Sequence, residues 1–149
     1  MLLWQIIETV LIIVLGVILH FLYDWCGKNK FVATFSAVNE STWEHLKLAF
    51  FPILIFGIVD FIFVRPYANN VVFATTIALF SSITIITMLF YLYLGVLGKN
   101  VDVLNINIFV IAVIIAKYIG YRIMFMPNFE NIYYIVINII SYYSICYSI

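Results

Sequence analysis

Charged residues are scarce in this chain: only 9% of its 149 residues are Asp, Glu, Lys or Arg. A soluble domain carries about 25%, so the chain has too little charge to cover a surface that faces water. Seven basic residues balance seven acidic ones, and the lack of a basic excess argues against nucleic acid as a partner. The two cysteines, Cys26 and Cys146, form neither a metal-ligand spacing nor a disulfide framework.

Apolar residues make up 66% of the chain. They form five runs of about 20 residues, the length that a helix needs to cross the hydrocarbon core. The runs lack the period-two alternation of a membrane barrel strand. The sequence therefore predicts one all-α domain over residues 1–149, an integral membrane bundle of five transmembrane helices. The predicted spans are about Leu3–Tyr23, Leu46–Val64, Val71–Leu94, Val103–Phe125 and Asn131–Ile149.

Ionisable residues sort into two layers when they are placed by depth. Five spans put the N terminus on one face of the membrane, side A, and the C terminus on the other, side B. Near side A lie Glu8, Asp60, Lys117 and Arg122. Charges inside a membrane are costly unless they are paired, so we expect an interhelical pair, either Asp60–Arg122 or Glu8–Lys117. A proton or ion relay is the functional alternative for this intramembrane charge layer.

A second polar layer lies near side B, mostly between Ser36 and Leu48. Ser41 and Glu44 have the spacing of a capping box at the start of a helix, and Trp43 fits an interfacial anchor. The run from Phe31 to Val38 is too short to span. It predicts an interfacial or re-entrant segment before the second helix, which would press Asn39 and Glu40 against the bundle. The candidates for a polar interfacial site are His20, Asp24, Asn39, Glu40, Trp43, Glu44 and His45.

Both histidines of the chain belong to this side-B layer, beside carboxylates. His20 and Asp24 are four residues apart and share a helix face. Imidazole with carboxylate suits a divalent metal, a general acid–base pair or a structural hydrogen-bond network. The metal candidates are His20, Asp24, Glu40 and His45. Their spacing matches no established metal signature, so we expect no cofactor and keep a divalent metal as the alternative.

Two segments of the side-B layer also carry a resemblance. His20-Phe-Leu-Tyr-Asp-Trp25 and the run from Phe35-Ser-Ala-Val-Asn-Glu to Pro52, together with Tyr121-Arg122, closely resemble an uncharacterised bacterial family of multi-pass membrane proteins, domain of unknown function 6512. The resemblance covers nearly the whole chain. It implies a multi-pass protein of the bacterial cytoplasmic membrane and supplies no activity.

Three functions remain open at this point. The first is a binder or carrier of a lipid or small amphiphilic solute that uses the side-B site. The second is an interfacial enzyme that acts on lipid through histidine and carboxylate groups. The third is a small membrane scaffold without a site. Because no catalytic signature is present, we favour the first, with the lipid bilayer and an amphiphilic ligand as the expected partners.

Overall fold

The computed structural model describes residues 1–39 and 41–127. This part of the chain is all-α, as predicted, and contains no strand. Its four helices are long and apolar enough to cross a membrane, which indicates a multi-pass membrane protein. The fifth predicted span, 131–149, lies outside the described residues. The helices are α1 (Leu2–Trp25), α2 (Thr42–Phe63), α3 (Val71–Leu97) and α4 (Asp102–Met124).

Local backbone chemistry explains where the helices end. The chain leaves α1 through Gly27 and Lys28, which both have a positive φ. At the end of α3, Gly98 adopts the left-handed conformation and its N–H bonds to the carbonyl of Leu94, the usual glycine stop. The sequence prediction ended this span at Leu94, because the break from Gly95 to Asp102 carries two glycines and Lys99, but Gly95 is still helical and does not stop the helix.

The start of α2 corrects two predictions. The helix begins at Thr42, four residues before the predicted span. Its first turn is polar, so a prediction from apolar residues alone leaves this turn out. Ser41 is the N-cap residue with extended backbone dihedrals, yet its side chain makes no capping bond. Glu44 accepts a hydrogen bond from the Val38 N–H instead, and Asn39 accepts the one from Ser41 N–H. The predicted capping box is therefore wrong.

The four helices run alternately up and down and close into a ring in which each contacts its neighbours in sequence and α1 also contacts α4. Small residues bring neighbouring backbones together, as is common in membrane bundles. A Cβ atom on Gly120 of α4 would lie 3.3 Å from the Ala74 carbonyl oxygen and from Ala78 Cβ on α3. Gly57 of α2 lies directly against Thr75 of α3. Packing is thus closest around α3 and sparsest between α1 and α4.

The core of the bundle is apolar, and so is its outer surface. Ile12, Ile53 and Val113 fill the interior with at most 1% of their surface exposed. Large apolar side chains also point outward from every helix, among them Leu3, Val14, Ile62, Val72, Met88 and Ile114. A soluble protein rarely exposes apolar patches on this scale, so the outer surface of the ring is suited to lipid.

The segment between α1 and α2 folds against the side-B end of the bundle. It contains a short 3-10 turn, Val32–Thr34. Ser36 is fully buried, where its hydroxyl donates to the Leu19 carbonyl and accepts from the Tyr23 N–H. The prediction that this segment presses Asn39 against the bundle is wrong, because Asn39 is exposed in the turn before α2. Glu40 lies outside the described residues.

Candidate functional site

The charged layer near side A is a compact buried cluster. Lys117 of α4 places its Nζ 2.5 Å from Glu8 Oε1 of α1 and 3.8 Å from Asp60 Oδ2 of α2. Glu8 and Asp60 are 0% exposed and Lys117 is 8% exposed. Three helices therefore each contribute one ionisable side chain to a single site, about two helical turns inside the side-A end of α1.

Two residues of the first turn of α1 complete this cluster. Trp4 Nε1 donates to Asp60 Oδ1 at 2.8 Å, and Gln5 Nε2 donates to Asp60 Oδ2 at 3.0 Å. We name the five residues Trp4, Gln5, Glu8, Asp60 and Lys117 the side-A cluster. Trp4 and Gln5 were not among the residues predicted for this layer. Their positions four and three residues before Glu8, on the same helix face, were the signal that could have included them.

Of the two ion pairs predicted for this layer, Glu8–Lys117 is confirmed and Asp60–Arg122 is wrong. Arg122 is exposed and donates to the Tyr118 hydroxyl on its own helix at 3.2 Å. The reason is rotational: Lys117 and Arg122 are five residues apart, which places them about 140° apart around a helix with 3.6 residues per turn. Both cannot face the interior, and Lys117 takes that position.

At the side-B end, the structure brings the two histidines together across α1 and α2. The ring centroids of His20 and His45 are 5.5 Å apart, with the planes tilted by 39°. His45 Nδ1 lies 3.0 Å from the Ser41 carbonyl oxygen. A carbonyl oxygen can only accept, so Nδ1 is the donor in this bond.

Beside the two histidines lies a cavity of about 290 Å³ between α1, α2 and α4. We name it the side-B pocket. Its lining is apolar apart from His20, His45 and Asn105. The lining residues are Gly16, Val17, His20, Phe21, His45, Leu48, Asn105, Ile106 and Phe109.

Asn105 is the polar residue of this pocket that sequence reasoning missed. It is held by a small network at the start of α4. Tyr93 OH lies 2.5 Å from Asn105 Oδ1, and Asn105 Nδ2 donates to Asn100 Oδ1 at 2.9 Å. Asn105 is neutral, so sorting the ionisable residues by depth does not include it. An Asn in the first turn of a predicted membrane span was the available signal.

The remaining candidates of the side-B layer lie apart from the pocket. Trp43 is 79% exposed, Asp24 is exposed in the last turn of α1, and Asn39 is exposed in the bend before α2. Glu44 is engaged by Lys47, whose Nζ lies 2.7 Å from its Oε2, and by the Val38 N–H. Within residues 1–39 and 41–127, no group of three or more His, Cys, Asp and Glu side chains could hold a metal ion.

The sequence model of a family described as a family of unknown function (DUF6512) matches residues 2–149. No curated protein and no solved structure matches the chain.

Proposed function

The chain belongs to this family of unknown function, and from its geometry we propose that it binds a single-chain amphiphile in the side-B pocket. The hydrocarbon chain would lie against the apolar lining, and a hydroxyl or carboxyl headgroup would lie at His20, His45 and Asn105. The observation that carries this proposal is the pocket itself: an apolar cavity with three polar side chains at the membrane-boundary end of the bundle.

The size and position of the pocket favour one acyl chain over a two-chain phospholipid. Its volume, about 290 Å³, is near the lower end of the roughly 300–1,000 Å³ range of small-molecule sites. Val17, Phe21 and Ile106 line it and are also exposed on the outer surface of the bundle. A ligand could therefore enter sideways between α1 and α4, directly from the lipid, without crossing water.

The polar end of the pocket offers both kinds of hydrogen-bonding group. An imidazole ring can donate or accept a hydrogen bond, and two such rings, His20 and His45, line the pocket. The Asn105 amide has two N–H groups, of which one bond to Asn100 uses one. A headgroup that both donates and accepts, such as a hydroxyl or a protonated carboxyl, matches this pair of groups.

Binding is supported better than transport or catalysis. The bundle interior between the two polar layers is filled by Ile12, Ile53 and Val113, which supports a binder over a carrier with an open path. Glu44, a predicted acid–base group, is already engaged by Lys47 and Val38. Several points remain predictions from the sequence. They are the enzymatic and scaffold alternatives, a bound divalent metal, and location in a bacterial cytoplasmic membrane.

Photolabelling with a diazirine-bearing palmitate in phosphatidylcholine liposomes tests the proposal. We expect labelling of the residues that line the pocket, and we expect an excess of unlabelled palmitate to abolish it. Ile106→Trp should fill the pocket and lower labelling several-fold. Ile58→Trp is the matched control, because Ile58 and Ile106 are both 54% exposed and Ile58 does not line the pocket.

Two outcomes would overturn the binding function. Labelling that is not saturable and is spread evenly over the outward faces of the helices would mean ordinary contact with bulk lipid, and would favour the scaffold. Recovery of the probe with a chemically altered headgroup, lost on His20→Phe or His45→Phe, would favour the interfacial enzyme.

A further inference from the structure

The charges of the side-A cluster do not balance. Two carboxyl groups, Glu8 and Asp60, face one ammonium group, Lys117, and all three are at least nine-tenths buried. The other helix of the ring, α3, contains no charged residue at all. Arg65, in the turn after α2, is exposed and lies over the Phe61 ring, 4.9 Å from its centroid. With both acids ionised, the cluster would hold a net charge of −1 inside the bundle.

Hydrogen bonding in the cluster is incomplete in a way that matches this excess charge. Glu8 Oε2 and Gln5 Oε1 are buried acceptor atoms that find no hydrogen-bond partner among the described residues. Lys117 Nζ lies 2.5 Å from Glu8 Oε1 and 3.8 Å from Asp60 Oδ2, so the two carboxyl groups are neighbours. Two adjacent carboxyl groups that both act as acceptors repel each other, and a buried acceptor without a donor costs about 1–3 kcal/mol. A single added hydrogen-bond donor between the two carboxyl groups would relieve their repulsion and the lack of a partner for Glu8 Oε2.

We propose that the side-A cluster binds one proton, shared by the Glu8 and Asp60 carboxyl groups beside Lys117. The proton converts one acceptor oxygen into a donor and brings the charge of the three groups from −1 to zero. This site is separate from the side-B pocket: Glu8 precedes His20 by twelve residues on α1, which corresponds to about 18 Å along the helix axis.

A proton fits this position better than a metal cation. Lys117 Nζ already lies against both carboxyl groups, so a second cation would have to displace the ammonium group. A proton needs no space of its own. A cavity of about 10 Å³, lined by Thr75, Lys117 and Gly120 among other residues, is about large enough for one water molecule, which would let the proton exchange from the α3 side.

Infrared spectroscopy of the purified protein tests this proposal by counting protonated carboxyl groups. The carbonyl stretch of a protonated carboxylic acid is measured at neutral pH in dodecyl maltoside, a detergent without carbonyl groups, and is identified by its shift in deuterated water. Charge balance predicts one protonated carboxyl in the wild type, none in Glu8→Gln or Asp60→Asn, and two in Lys117→Met. The Glu8→Gln/Lys117→Met double variant should return to one.

Glu44→Gln is the control, because Glu44 is a carboxylate at the side-B end that is paired with Lys47; it should leave the band unchanged. Circular dichroism and gel filtration confirm that each variant is folded. The proposal is overturned by a wild-type protein without the band, or by a band that survives in both Glu8→Gln and Asp60→Asn. Should Asp60→Asn fail to fold, the wild type and Glu8→Gln alone decide the question.

Discussion

Replacing Gly57 with alanine is expected to destabilise the bundle through one contact between α2 and α3. A Cβ atom at Gly57 would overlap Thr75 Cγ2, and would lie 3.0 Å from Thr75 Oγ1 and 3.2 Å from Thr75 Cβ. Thr75 is β-branched and has few alternative rotamers on a helix, so the helices must separate. Overpacking of this kind costs about 1–3 kcal/mol, and a gap of roughly 1 Å forfeits up to about half of the dispersion energy of the atoms involved.

Gly95→Ala supplies a matched control for this measurement. Gly95 is also helical, but nothing lies within 4 Å of the position of its added Cβ atom. Alanine is favoured over glycine in a helix by about 1 kcal/mol, and this gain applies to both variants. The difference between their free energies of unfolding therefore isolates the contact with Thr75, and we expect it to be about 1–3 kcal/mol.

Unfolding by SDS in mixed micelles, followed by circular dichroism, gives these free energies. The Gly57→Ala/Thr75→Ala double variant should recover most of the loss caused by Gly57→Ala, because the overlapping Cγ2 and Oγ1 atoms are gone. Equal stability of Gly57→Ala and Gly95→Ala would refute the close approach of α2 and α3. So would a double variant whose loss is the plain sum of the two single losses.

The other predictions concern the side-A cluster and use the same unfolding assay. Lys117→Met should lower the free energy of unfolding by about 3–5 kcal/mol, because it leaves two buried carboxyl groups without their base. Adding Glu8→Gln should recover part of that loss. Strict additivity of the two changes would contradict the pairing of Glu8 with Lys117. Arg122→Gln, on the exposed face of the same helix, should change stability by less than about 0.5 kcal/mol. Trp4→Phe removes a hydrogen bond to the Asp60 carboxylate and should cost about 1.5–3 kcal/mol, whereas a loss near zero would place Trp4 as a membrane anchor only.

The helical content and the positions of the four described spans could be predicted from the sequence, because each depends on local properties. Some 20 apolar residues in a row must form a helix in lipid, where the backbone can bond only to itself. Ser41 was identified as the N-cap residue of α2 from its type and position alone. Helix ends were less accurate, since whether Gly95 or Gly98 stops α3 depends on backbone dihedrals that hydropathy does not report.

The depth of each residue in the membrane could also be predicted from the sequence, and this depth placed Glu8, Asp60 and Lys117 in one layer. The partner of each ionisable group could not be predicted, because it depends on how each helix is rotated about its axis. Lys117 and Arg122 lie at similar depth on α4, and only packing against α1 and α2 decides which of them is buried.

The side-B pocket shows the same division between sequence and structure. The sequence by itself determined that both histidines lie at one end of the bundle. Only the tertiary structure decided that His20 and His45 meet across two helices, that neutral Asn105 joins them, and that Trp43 points away. The physical reason is that a cavity is the space left between surfaces from different helices, here α1, α2 and α4, and no single segment of the chain encodes that space.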